Sequence, residues 1–128
     1  MRLRDYLRRI GLDAGLRPTA EALRRVHVAH REAFLFENIS IQTGGVISVA
    51  LDAVERKFID EGRGGYCFEH NTLFGAALRE LGFDPVTLLG RVRRGPPERW
   101  ELVQDISVPG LRFAHLAHAA FASCAQLF

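Results

Sequence analysis

The chain has 128 residues, 48% of them hydrophobic and 25% charged, which is typical of one soluble globular domain and excludes a disordered or fibrous protein. Its formal net charge of +2 is too small to provide the phosphate attraction of a nucleic-acid binder, so we expect no nucleic-acid partner. Apolar stretches in the body of the chain fall short of the roughly 20 residues of a membrane span, and we expect a cytoplasmic protein without a membrane partner.

The first half of the chain predicts four helices, because apolar residues recur at helical spacing and glycines follow the runs. Thr19 is the expected N-cap of the second helix and Ser48 that of the third. The predicted helices run over residues 2–10, from Thr19 to near His30, from Ser48 to before Gly62, and from near Cys67 to Leu81.

Between the second and third helices, residues 33–39 are apolar but interrupted by Glu37 and Asn38, which predicts an irregular and largely buried connection. A buried carboxylate without a partner is costly. We expect Arg63 to be that partner because of the family resemblance given below, and a guanidinium suits such a pair. The alternative is a surface arginine that never meets Glu37.

After Pro85 the spacing changes from the helical period to alternation, and residues 86–93 predict a strand. Residues 93–99 are expected to form a loop, because Pro96 and Pro97 cannot lie inside a sheet. Helices followed by β structure indicate an α+β fold.

Residues 63–71 read Arg-Gly-Gly-Tyr-Cys-Phe-Glu-His-Asn and bring Cys67 to the start of a helix. The paired glycines Gly64 and Gly65 suggest that the backbone approaches another group closely. The positive end of a helix dipole favours the thiolate, which is the nucleophilic form of cysteine. A small buried residue packed against Phe74 and Leu78 is the alternative, and the residues alone leave both open.

Three runs together resemble the arylamine N-acetyltransferase family over residues 1 to about 94, whereas the tail from about residue 100 does not match it. They are Arg63 to Asn71, Phe36-Glu37-Asn38 and Tyr6-Leu7-Arg8-Arg9-Ile10-Gly11. The resemblance implies a helical domain, a β-barrel domain and an α/β lid, with a thiol-protease-like Cys-His-Asp triad across the first two.

For chemistry, the resemblance implies a transferase of xenobiotic metabolism with Cys67 as nucleophile. Cys67 would take acetyl from the co-substrate acetyl-CoA as a thioester and pass it to an arylamine, arylhydrazine or arylhydroxylamine. The family's buried ion pair, which braces the active-site loop, corresponds to Glu37 and Arg63. Phe36 and Phe68 would line the acceptor pocket, or simply fill the core.

The residues for the rest of the triad depart from the family pattern, which has a Thr-His dipeptide and an Asp-Val-Gly-Phe-like run after the cysteine. Of the histidines that follow Cys67, we expect His70 to be a helix-surface or packing residue. His115 is the nearest candidate base and Asp105 the nearest acid, although a solvated or core histidine is the alternative. The spacing of His27 and His30 would suit a metal, but no further ligand joins them, and we expect no metal site.

These features predict a helical domain over residues 1–83 that carries the nucleophile, and a second region, 84–128, that starts a β domain and continues as a divergent tail. We expect a chain shorter than the family domain, with an incomplete barrel whose open edge could self-associate. Alternatives to the acetyltransferase are a non-catalytic fragment or interaction module without the triad, and a hydrolase of the same thiol class.

Overall fold

The computed structural model describes residues 1–92 and 101–107, which form helices followed by a pair of strands. The helices are α1 (Leu3–Arg9), α2 (Ala20–Ala33), α3 (Ile39–Gln42), α4 (Leu51–Glu55) with its π-helical continuation (Arg56–Asp60), and α5 (Cys67–Glu80). The strands are β1 (Val86–Val92) and β2 (Glu101–Ser107). This order confirms helices before β structure.

The core is one cluster of buried apolar side chains contributed by α1, α2, α4 with its continuation, and α5. Its largest fully buried members are Tyr6, Phe58, Leu7, Leu73, Leu78, Val26 and Val54. Burial of each such side chain contributes about 1.5–3 kcal/mol, so the helices are held mainly by this shared core. In the described part of the chain, no helix is both long and apolar enough to cross a membrane.

Two helix predictions need correction at their ends. The Thr19 hydroxyl caps α2 by accepting from the Ala22 N–H at 3.2 Å, as predicted, but the helix continues to Ala33. The predicted cap at Ser48 is wrong, because its Oγ accepts from the Ala50 N–H at 3.3 Å and the helix begins only at Leu51.

The predicted third helix changes character halfway, since residues Arg56–Asp60 form a π-helical turn. The Glu61 N–H donates to the Arg56 carbonyl at 3.0 Å, five residues back, where an α-helix would bond four residues back. Apolar spacing does not predict the wider turn, although Phe58 within it is fully buried. Such wide turns are frequent at functional sites.

The two strands form an antiparallel sheet in which Val86 pairs with Ser107 and Leu88 with Asp105. The prediction of a strand from residue 86 is confirmed. The side chains of Leu88 and Leu89 are exposed on β1.

Candidate functional site

At the centre of the site, residues 35–37, which follow α2, lie beside Gly65, which comes just before α5. The Glu37 N–H donates to the Gly65 carbonyl at 2.9 Å, and the Gly65 N–H donates to the Leu35 carbonyl at 3.2 Å. These bonds form a parallel bridge between Phe36 and Gly65. The connection predicted over residues 33–39 is therefore fixed by backbone hydrogen bonds, but it is not largely buried, because Leu35 and Ile39 are exposed.

The paired glycines allow this close approach. A Cβ on Gly64 would collide with the Leu35 carbonyl oxygen and lie 2.6 Å from its carbonyl carbon. A Cβ on Gly65 would collide with the Glu69 carboxylate, whose Cδ would be 2.7 Å away. At Gly64 the neighbour is backbone, which confirms that this glycine places backbone close to another group, whereas the Glu69 carboxylate beside Gly65 is the end of a flexible side chain.

Cys67 is the first residue of α5, and Tyr66 separates it from the glycine pair. Its side chain is half-buried and is not part of the buried core that contains Phe74 and Leu78. The N-terminal N–H groups of a 14-residue helix create a positive potential at this position, which stabilises a thiolate. The role of Cys67 as a nucleophile stays a prediction.

Four charged side chains brace the bridge, and we call them the charge cluster: Glu37, Lys57, Arg63 and Glu69. The Arg63 Nη2 lies 2.8 Å from the Glu37 Oε1, which confirms the predicted ion pair, but the contact is a single hydrogen bond rather than a bidentate one and the arginine is partly exposed. The Lys57 Nζ lies 2.8 Å from the Glu69 Oε1 and 3.7 Å from the Glu37 Oε1. Two cations thus neutralise two carboxylates that are nearly buried.

Each carboxylate of the charge cluster also accepts from backbone. The Glu69 Oε2 accepts from the Tyr66 N–H at 3.1 Å and so caps the helix that begins at Cys67. The Glu37 Oε2 accepts from the Ile39 N–H at 2.7 Å. Burial opposes ionisation of Glu37, but the bonds from Ile39 and Arg63 outweigh it and hold the pKa of Glu37 below its usual value.

The two phenylalanines predicted for the acceptor pocket are half-buried beside the bridge and the helix start. The Phe36 ring stacks on the His70 ring, with centroids 5.4 Å apart and planes 13° apart. The Phe68 ring lies 5.5 Å from the Tyr66 ring. Their role in a pocket stays a prediction.

His70 packs inside the site, consistent with the expectation of a helix-surface or packing residue. Its Nδ1 lies 3.0 Å from the His30 Nε2, and its Nε2 lies 3.3 Å from the Leu35 carbonyl oxygen. Burial lowers the pKa of His70 to about 4, even though nearby backbone carbonyls favour the charged form. Both ring nitrogens are engaged, so His70 is poorly placed to act as a general base.

The other two residues considered for the triad, Asp105 and His115, lie in the second half of the chain. Asp105 lies in β2, where its backbone pairs with Leu88. His115 lies outside the described residues, and so does the second cysteine, Cys124. Within the described ranges, no three His, Cys, Asp or Glu side chains are grouped as a metal site would require.

Acid should destabilise the folded chain in a defined window because of these buried imidazoles. Since the pKa of His70 falls from 6.5 in the unfolded chain to about 4 in the fold, the unfolded chain binds more protons between these values. The stabilising contribution of neutral His70 to folding is fully present above pH 6.5. On acidification towards pH 4 the free energy of unfolding falls by about 3 kcal/mol. Urea unfolding at several pH values measures this loss, and a flat profile between pH 6.5 and 4.5 would contradict it.

Comparisons with known proteins agree with the resemblance. A family model described as N-acetyltransferase matches residues 19–108, which extends the matched region past the boundary expected near residue 100. The arylamine N-acetyltransferase of Mycolicibacterium smegmatis is 38% identical over 128 aligned residues, which cover 94% of this chain and 46% of that protein.

Solved structures give the same result. The M. smegmatis arylamine N-acetyltransferase matches with a TM-score of 0.73 and 38% identity, covering 86% of this chain and 43% of that one. The Mycobacterium marinum enzyme, solved in complex with CoA, matches with a TM-score of 0.72 and 37% identity over the same shares. The chain therefore spans about half the length of these relatives.

Proposed function

The chain belongs to the arylamine N-acetyltransferase family, and from that premise we propose that it transfers acetyl from acetyl-CoA to an arylamine or arylhydrazine through a thioester on Cys67. The observation that carries the proposal is the placement of Cys67, half-buried at the first residue of α5 and two residues after the braced Gly65. This is a position in which a thiolate is stabilised and its backbone is held.

In the proposed reaction, the Cys67 thiolate attacks the acetyl carbonyl carbon of acetyl-CoA. A new carbon–sulfur bond forms, the bond to the CoA sulfur breaks, and CoA leaves as a thiolate that takes up the proton lost by Cys67. The amine nitrogen then attacks the thioester carbonyl, the bond to the Cys67 sulfur breaks, and the proton lost by the amine passes to the departing Cys67 thiolate. Splitting one transfer into two acyl steps lowers the barrier of each.

The remaining roles follow the geometry of the site. Glu37 and Arg63 hold the bridge, while Gly64 and Gly65 permit its close packing. Phe36 and Phe68 are assigned to the acceptor pocket. Their half-buried rings support this, since Phe36 lies in the bridge and Phe68 directly follows Cys67.

By their order in the sequence, His115 stays the candidate base and Asp105 the candidate acid, with a solvated or core histidine as the alternative. A His115→Ala variant that acetylates at the unaltered rate would rule out His115 as the base.

The proposal includes a cysteine-protease-like helical domain over residues 1–83 and the start of a β-barrel domain at 84–128. It also includes a cytoplasmic location.

Self-association through the sheet edge is supported by the exposed Leu88 and Leu89 side chains, and sedimentation at high protein concentration measures it.

Intact mass after incubation with acetyl-CoA tests the chemistry. We expect one acetyl adduct that disappears when an arylamine is added, and no adduct on a Cys67→Ala variant. Cys124→Ala is the matched control, because it removes the other cysteine and should keep the adduct.

The other outcomes distinguish the alternatives. A folded chain that forms no adduct is a non-catalytic fragment or an interaction module. An adduct that water discharges as fast as the amine does indicates a thiol hydrolase.

A further inference from the structure

A continuous chain of hydrogen bonds crosses the core and ends at the candidate site; we call it the imidazole chain, formed by Tyr6, His30 and His70. The Tyr6 hydroxyl lies 3.0 Å from the His30 Nδ1, and the His30 Nε2 lies 3.0 Å from the His70 Nδ1. The His70 Nε2 lies 3.3 Å from the Leu35 carbonyl oxygen. Tyr6 is fully buried and His30 is 5% exposed.

The direction of every bond in the imidazole chain is fixed by its last acceptor. A carbonyl oxygen can only accept, so the His70 Nε2 carries a hydrogen. In a neutral imidazole the Nδ1 of His70 is then an acceptor, and the His30 Nε2 must donate to it. By the same step the His30 Nδ1 accepts from the Tyr6 hydroxyl. Every polar atom in the imidazole chain is satisfied in this one arrangement.

The imidazole chain ends at the point where the two segments of the bridge meet. The Leu35 carbonyl accepts from both His70 and the Gly65 N–H, so two donors hold one oxygen. The Phe36 ring stacks on the imidazole of His70, whose plane is fixed by its two hydrogen bonds. His70 therefore fixes both the backbone on one side of the bridge and the ring that follows it.

We infer that His70 is a positioning residue: as a neutral Nε2–H tautomer set by His30 and Tyr6, it holds the Leu35 carbonyl and the Phe36 ring in place beside the helix that begins at Cys67. The effect on the acceptor pocket rests on the function proposed above, whereas the effect on the bridge does not.

Histidine tautomers in the unaltered protein give the first test. Long-range proton–nitrogen NMR correlations should show His30 and His70 as neutral Nε2–H tautomers from pH 8 down to pH 5. Lys57 opposes protonation of His70 and Glu37 favours it, while His30 faces it from α2. An Nδ1–H tautomer of His70, or its titration near pH 6.5, would overturn the inference.

Two substitutions at His70 test the hold on the backbone. Leucine removes both hydrogen bonds, so in His70→Leu we expect the Gly65 amide to exchange with solvent about fivefold to tenfold faster, as for loss of one hydrogen bond. Glutamine can donate to Leu35 and accept from His30, and His70→Gln should restore the slow exchange. His27→Gln is the control, because His27 lies in α2 next to the imidazole chain but is not a member of it.

Kinetics test the hold on Phe36. Both His70 variants lose the ring on which Phe36 stacks, so the KM for the arylamine should rise about tenfold. The rate at which acetyl-CoA acetylates Cys67 should change less than about twofold.

The tautomer and amide-exchange tests separate the inference from the proposed function, which the kinetic test requires. If the unaltered protein transfers no acetyl, the proposed function fails, while tautomers and amide exchange still decide the inference. Equal Gly65 exchange in His70→Leu and His27→Gln would refute it. If His70→Leu does not fold, the tautomers and His70→Gln decide.

Discussion

Gly64→Ala should lower the free energy of unfolding by more than about 4 kcal/mol, the range in which single substitutions are exceptional. The added Cβ would collide with the Leu35 carbonyl oxygen and lie 3.0 Å from the Leu35 nitrogen, so it meets backbone rather than a side chain that could turn away. The two segments would have to separate, which breaks both bridge hydrogen bonds and displaces the start of α5. Urea unfolding measures the loss.

Gly11→Ala is the matched control for this prediction. Gly11 has φ of +72° and open space around its Cα, so alanine there meets only the conformational cost of the left-handed region, about 1–2 kcal/mol. Both variants lose one glycine, but only Gly64→Ala should also change the rate at which iodoacetamide alkylates Cys67. Equal destabilisation of the two variants would show that the bridge is not closely packed.

The sequence was sufficient to predict the parts of the site that depend on local rules. A glycine pair before a cysteine indicates a close backbone approach and a helix start, and both are found at Gly64, Gly65 and Cys67. A carboxylate in an apolar segment requires a partner, but it was the family resemblance that predicted Arg63 as the partner of Glu37.

The parts that were missed depend on contacts between distant helices. Lys57 is the one lysine of the chain, which was a signal, but its partners became apparent only when the π-helical turn set it against α5. The bond between His30 and His70 joins α2 to α5 across 40 residues, and periodicity on either helix shows only that each faces inward. Sequence patterns describe one element at a time and cannot give such pairings.

The strand β2 illustrates a different limit. Alternation after Pro85 predicts β1, but residues 101–107 mix polar and apolar side chains without a regular alternation, and pairing with β1 is what makes them a strand.

Lys57→Met should cost about 3–5 kcal/mol of stability, because it leaves a buried carboxylate without its cation. The Glu69 side chain is 3% exposed and the Lys57 side chain 14%, so water replaces little of the lost interaction. Methionine keeps most of the apolar stem of lysine, which separates loss of charge from loss of packing. Urea unfolding measures the cost, and Arg24→Met, which breaks the exposed pair with Glu21, should leave the unfolding midpoint unchanged.

The double variant Lys57→Met with Glu69→Gln tests the cause. Glutamine removes the uncompensated charge but can still accept from the Tyr66 N–H, so it should recover at least half of the lost stability. Recovery would mean that Lys57 is needed to neutralise Glu69, and therefore that the cap on the Cys67 helix requires a cation from the π-helical turn. A double variant no more stable than Lys57→Met alone would instead assign the loss to packing of the lysine stem.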